Sequence, residues 1–159
     1  MGLAGQQNRP HTLDKDRRGS ENWPDLRGKR ILVLEDDPVI AVEWYFQLKR
    51  LGATQVFEAT NKLALQYLVG HNVDAAIVDY TLRDGCCAPV LELLTARHIP
   101  FIIISGDTFG LRQASIDAPV LSKPVMPAEV WSALSGVLTE RPHMRHGGLR
   151  CQRTVSLDV

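Results

Sequence analysis

Several marks of particular function classes are missing from this sequence. No apolar run approaches the ~20 residues that a bilayer-spanning helix requires, and Met1 to Arg30 is polar, without the apolar core of a secretion signal. Neither sign of charge is in excess. Lys and Arg number 18, Asp and Glu number 18, and the net charge is zero, so nothing overall argues for nucleic acid or an anionic membrane as partner. Cysteine is scarce: Cys86, Cys87 and Cys151 form neither a disulfide framework nor a CxxC metal pattern. Adjacent Cys86 and Cys87 are poorly placed to bridge each other, and the compartment expected is the reducing cytoplasm. Nucleotide loops of the GxGxxG or GxxxxGK[ST] kind are also absent.

What is present has an ordinary globular balance, 45% hydrophobic and 23% charged over 159 residues, which suits one domain with flanking tails. Residues 1–28 carry little apolar material beyond Leu3, Leu13, Trp23 and Leu26 and are expected to be a disordered or loosely docked extension. The folded domain is expected over 29–139, with 140–159 as a tail.

Ile31-Leu-Val-Leu34 is an apolar run that meets three acids, Glu35, Asp36 and Asp37, and then Pro38. Such a run reads as a strand buried on both faces. Asp37 is suited to cap a helix whose first turn holds Pro38. Ile40, Trp44, Leu48 and Leu51 repeat at helical spacing up to Gly52, a C-terminal cap, with Trp44 and Phe46 as packing residues. A strand follows at Thr54–Glu58, then a helix from Asn61 to Val69 with Thr60 as cap and Gly70 as stop. Val73–Val78 is a further apolar run, halting at Asp79. Tyr80–Gly85 reads as a loop, and Pro89 opens a helix to about Arg97. Phe101–Ile104 stops at Ser105-Gly106-Asp107, and a short helical piece fits Gly110–Ser115. Val120 and Leu121 form a last strand before Ser122-Lys123-Pro124. Pro127 starts a final helix to about Leu138, with Val130, Leu134 and Val137 on one face.

Strand and helix thus alternate five times. That implies an α/β fold, a doubly wound five-stranded parallel sheet with helices on both faces. In such sheets ligands bind at the carboxyl ends of the strands. Glu35 and Asp36, Asp79, Ser105 and Lys123 all stand at those ends, on one edge of the sheet. Carboxylates with a hydroxyl and a lysine suit phosphoryl transfer to an aspartate. Magnesium takes oxygen ligands, an aspartate can form an acyl phosphate, and an ammonium offsets the incoming charge. Ser105 can donate a hydrogen bond to a phosphoryl oxygen, and Gly106 has no side chain to crowd it.

With these residues in place, the chain resembles the receiver domain of two-component response regulators. The resemblance rests on Ile31-Leu-Val-Leu-Glu-Asp-Asp-Pro38, Ala76-Ile-Val-Asp-Tyr-Thr-Leu82, Ile103-Ile-Ser-Gly106 and Leu121-Ser-Lys-Pro124, and covers roughly Lys29 to Leu138. It implies a flavodoxin-like fold with strand order 2-1-3-4-5. It implies that Asp79 accepts a phosphoryl group from a histidine kinase or a histidine phosphotransferase. Glu35, Asp36 and Asp79, with the backbone carbonyl of Thr81, would hold Mg2+ or Mn2+. Ser105 matches the switch hydroxyl, Lys123 the phosphate-contacting lysine, and the Lys123-Pro124 bond would be cis. Thr81 and Asp107 flank the phosphate site and are expected to set the lifetime of the acyl phosphate.

Val120 stands where the family often carries an aromatic residue, and the segment between Ser105 and Lys123 is short. Residues 140–159 are too few for an output domain, so a stand-alone receiver is expected, one that relays phosphate or docks an unnamed downstream protein. A homodimer through an exposed helix face is compatible with this reading. It is a signalling domain rather than an enzyme, assisting only its own phosphorylation and dephosphorylation. Two alternatives stand beside it. A pseudo-receiver would dock without phosphate, although no expected site residue is missing. A small aspartyl-phosphate phosphatase of the haloacid-dehalogenase kind would need an Asp where Thr81 stands.

Overall fold

A computed structural model describes residues 23–83, 85–106 and 116–139. Asp107, the helical piece expected at 110–115, the tail 140–159 and most of the N-terminal extension lie outside the described residues. The chain runs β1 (Arg30–Leu34), α1 (Pro38–Arg50), β2 (Gln55–Ala59), α2 (Asn61–Gly70) and β3 (Ala75–Asp79). A short ribbon, β4 (Thr81–Leu82) and β5 (Gly85–Cys86), precedes α3 (Ala88–Ala96), β6 (Phe101–Ser105), β7 (Val120–Ser122) and α4 (Pro127–Thr139).

Five strands form one parallel sheet in the order β2-β1-β3-β6-β7, which is the expected 2-1-3-4-5 order of the main strands. The central strands β1, β3 and β6 carry apolar runs because both faces of the sheet are covered there, whereas the edge strand β2 exposes Gln55 and Glu58. Leu32, Leu34, Ala76, Val78, Phe101 and Ile103 pack on one side with α2 and α3, through Leu68, Leu91 and Leu94. Their neighbours Ile31, Val33, Ile77, Ile102 and Ile104 pack on the other, with Trp44 and Leu48 of α1 and Val130, Trp131 and Leu134 of α4. Successive strand residues point to opposite faces, so continuous apolar runs are what a two-sided core demands.

Local chemistry sets the helix ends. The Asp37 carboxylate accepts hydrogen bonds from the Val39 and Ile40 N–H groups at 2.9 and 3.4 Å, with Pro38 at the head of α1. Gly52 follows α1 with φ +98°, and a Cβ there would lie 2.8 Å from Cγ of Arg27; both conditions call for glycine. Arg30 ties the start of β1 to Asp74 ahead of β3 through its N–H at 2.8 Å and its guanidinium at 3.0 Å. Burial alone would raise the Asp74 carboxyl, but the Arg30 hydrogen bonds and charge hold it below the ordinary 3.8.

Several expectations are corrected. Thr60 occupies the N-cap position of α2 without a side-chain hydrogen bond to the helix, and Gly70 is inside the helix, which His71 caps. The loop after Asp79 contains the antiparallel ribbon, Thr81 against Cys86 and Leu82 against Gly85. Trp44 is core, but Phe46 is 61% exposed. Cys86 is disulfide-bonded rather than unpaired, while Cys87 is free and buried.

The folded unit also begins earlier than Lys29. Leu26 is completely buried, and its N–H donates to the Leu51 carbonyl at 3.2 Å. Arg27 forms a bridge with Ala53, and Trp23 lies 6.4 Å from Trp131, which meets Trp44 edge-on at 5.6 Å. One leucine in a polar stretch carries no period, so sequence pattern could not show that it reaches the core. Leu26→Ala is expected to cost about 2–5 kcal/mol, the range for a buried leucine, read from urea unfolding. A loss under about 0.5 kcal/mol, typical of surface positions, would return Leu26 to the loose extension.

Candidate functional site

The site is made by strand register. Leu34 pairs with Val78, so the residues that follow each, Glu35 and Asp79, emerge side by side at the carboxyl edge. Asp79 in turn pairs with Ile104, next to Ser105, and Ser105 pairs with Ser122, next to Lys123. The sheet thereby collects Glu35, Asp36, Asp79, Ser105 and Lys123 from four strand ends, as the sequence reading required.

Asp79 is 4% exposed. One carboxylate oxygen accepts from the Lys123 ammonium at 2.6 Å, and the other accepts from the Thr81 N–H at 3.0 Å. Glu35 is held by the Asp37 N–H at 3.0 Å. Glu35, Asp36 and Asp79 each present an oxygen within 4.8 Å of the others. Ser105 is fully buried, and its carbonyl accepts from the Lys123 N–H at 2.9 Å. The Lys123-Pro124 peptide is cis, as expected. A cleft of about 580 Å³ between α1 and the turn into α4 opens beside Glu35 and Lys123, walled by Ile40, Trp44, Ile104 and Val125.

The electrostatics follow from this crowding. Burial raises the Glu35 carboxyl above its ordinary value, the Asp37 N–H and Lys123 oppose that, and the charges of Asp79 and Asp36 add to it. Burial would lower the Lys123 ammonium, but its bond to Asp79 and the surrounding carboxylates raise it, so it stays charged. Burial also pushes the Cys87 thiol up to about 12, leaving it inert behind Asp79.

One cation was not foreseen. The N–H of Arg83, in the turn of the ribbon, donates to Asp36 at 2.8 Å, and its guanidinium lies 3.5 Å from the same oxygen. Among the described residues, three carboxylates therefore face two cations, Lys123 and Arg83. An all-oxygen cluster of this kind fits a hard divalent ion. Beside Ser105, a Cβ at Gly106 would meet nothing within 4 Å. Val120, at the position of the absent aromatic, is half-buried against the core.

The raised Glu35 carboxyl has a consequence for stability. The folded state holds this proton to higher pH than the unfolded chain does, so stability in chelator falls as pH rises from about 4.5 through the folded value. Glu35→Gln is expected to remove that part of the fall and to stabilise the metal-free protein at neutral pH. Urea unfolding in chelator from pH 4 to 7 measures it, and a parallel decline in both proteins would refute the assignment.

Comparison with solved structures places the chain. It matches SdrG from Sphingomonas melonis Fr1 at 36% identity and TM-score 0.60, covering 69% of this chain and 96% of that one. It matches a response regulator receiver protein from Sinorhizobium medicae WSM419 at 20% identity and TM-score 0.66, covering 72% and 97%. It also matches the receiver domain of a sensor histidine kinase from Pseudomonas aeruginosa PAO1, solved with magnesium in its active-site cleft, at 24% identity and TM-score 0.61, covering 70% and 98%. No protein-family model and no curated protein matches. With its parallel sheet in the 2-1-3-4-5 order and its acids, hydroxyl and lysine gathered at one edge, the chain belongs to the response regulator receiver domains.

Proposed function

We propose that the domain receives a phosphoryl group on Asp79 from the phosphohistidine of a histidine kinase or histidine phosphotransferase. The observation that carries this is the packing of Asp79 between Lys123 at 2.6 Å and the Glu35–Asp36 pair. Glu35, Asp36 and Asp79, joined by the Thr81 carbonyl, are the residues that would hold Mg2+ or Mn2+. The magnesium in the Pseudomonas receiver supports the same use of this site. Held by these residues, such an ion would supply positive charge against the phosphoryl oxygens.

The chain's own groups do the rest. An Asp79 oxygen attacks phosphorus, the phosphorus–nitrogen bond of the donor breaks, and its electron pair leaves with the imidazole. Lys123, paired with Asp79 at rest, turns its charge to the phosphoryl oxygens. The Ser105 hydroxyl donates to one of them, and that contact couples phosphorylation to a two-state change of the domain. The outcome is docking on a downstream protein or onward relay of phosphate, in the cytoplasm, with no turnover of an outside substrate.

A surface for the donor lies beside the site. Val39, Val42 and Phe46 recur on one stripe of α1 and are 75%, 47% and 61% exposed. Apolar side chains grouped this way on a surface helix mark a protein contact, and Asp37 places the start of the stripe next to the acids.

Intact mass after incubation with acetyl phosphate and Mg2+ tests the chemistry. One phosphate adduct is expected on the wild type, and none on Asp79→Asn or in chelator. An adduct that survives either condition would remove Asp79 or the metal from the reaction. Phe46→Asp separates docking from chemistry. It is expected to slow transfer from a phosphorylated histidine protein at least tenfold while leaving the acetyl phosphate reaction unchanged, and equal slowing of both would place the defect in the fold.

A further inference from the structure

The ribbon that follows Asp79 brings Arg83 over the metal cluster, and its two contacts with Asp36 differ in kind. The N–H contact, 2.8 Å, is fixed by the backbone. β4 and β5 pair with each other, the Leu82 side chain is buried, and the Gly85 carbonyl accepts from Asn61 at 3.1 Å. The guanidinium contact, 3.5 Å, is made by a side chain that is 82% exposed to a carboxylate that is 14% exposed. A long, solvated arm of this sort is weakly held and easily displaced, while its target carboxylate, Asp36, contributes an oxygen to the cluster suited to a divalent ion.

We infer that Arg83 is a built-in counter-ion that competes with the divalent cation for Asp36 and so sets the metal affinity of this receiver. In the metal-free state the guanidinium screens the cluster. Entry of the ion requires it to swing outward, which its exposure permits, and the Arg83 N–H keeps Asp36 oriented throughout. Arg83 is thus a positioning residue acting on a metal ligand. The inference rests on the reading of Glu35, Asp36 and Asp79 as a divalent-cation site.

Calorimetric titration of Mg2+ into wild type, Arg83→Gln and Arg83→Lys at low ionic strength tests it. All three keep the backbone N–H, so a change reports the side chain. Arg83→Gln is expected to bind Mg2+ about two- to fivefold more tightly, the factor that an exposed ion pair can supply. Arg83→Lys restores a cation and is expected within about twofold of wild type, inside the same range for an exposed pair. The gain in Arg83→Gln should vanish near 1 M KCl, where the screening length drops to about 3 Å. Unchanged or weaker binding by Arg83→Gln, or an equal gain in Arg83→Lys, overturns the competition. No Mg2+ binding by the wild type, with the fold intact by circular dichroism, would instead overturn the cation site itself, and the inference with it.

Discussion

A buried carboxylate stands at the centre of this domain, and the Lys123 ammonium at 2.6 Å is what makes it tolerable. Asp79 ends a strand that is buried along its whole length, and two more carboxylates crowd it within 4.8 Å. Unpaired, a charge in that position would be strongly unfavourable. The lysine comes from the far end of the sheet, 44 residues on, and reaches Asp79 because β6 carries Ser105 and β7 sets Lys123 beside it. The pair is therefore a structural clamp across three strands and, in the proposed function, the chemical core of the site. Among the described residues the three carboxylates outnumber the two cations that face them, which suits a site that admits a cation together with an anionic group.

The same geometry explains why the site is well fixed where chemistry happens and loose at its rim. Asp79 and Ser105 are anchored in the sheet, and their orientation costs no further ordering. Arg83, the exposed stripe of α1 and the cleft beside Trp44 lie outside that frame, in contact with solvent. In the proposed function, recognition and tuning would fall to these outer groups, because a surface side chain can change partner at little cost whereas a buried one cannot.

Beneath the site, the two-sided core supplies the rigidity. α1 and α4 meet the sheet through Trp44 and Trp131, and Trp23 extends that aromatic contact to the segment ahead of β1. Leu26 fills the same layer. Trp23 and Leu26 thereby pack with residues of α1 and α4, although the stretch that holds them reads as polar.

The sequence by itself determined the fold and the ends of its strands. Runs such as Ile31–Leu34 and Phe101–Ile104 show period and length, Asp37-Pro38 shows a helix start, and the parallel topology then forces Glu35, Asp36, Asp79, Ser105 and Lys123 to one edge. Those are local signals multiplied by one topological rule. What only the tertiary structure decided were contacts with no local signal. The pairing of Arg83 with Asp36 spans 47 residues and depends on a two-residue ribbon inside what reads as a loop. The burial of Leu26 depends on where α1 ends, and the exposure of Phe46 depends on which stripe of α1 the sheet covers. A side chain's period names its element. Which neighbour it meets is settled when distant elements pack, because the energy of each contact exists only once both partners are in place.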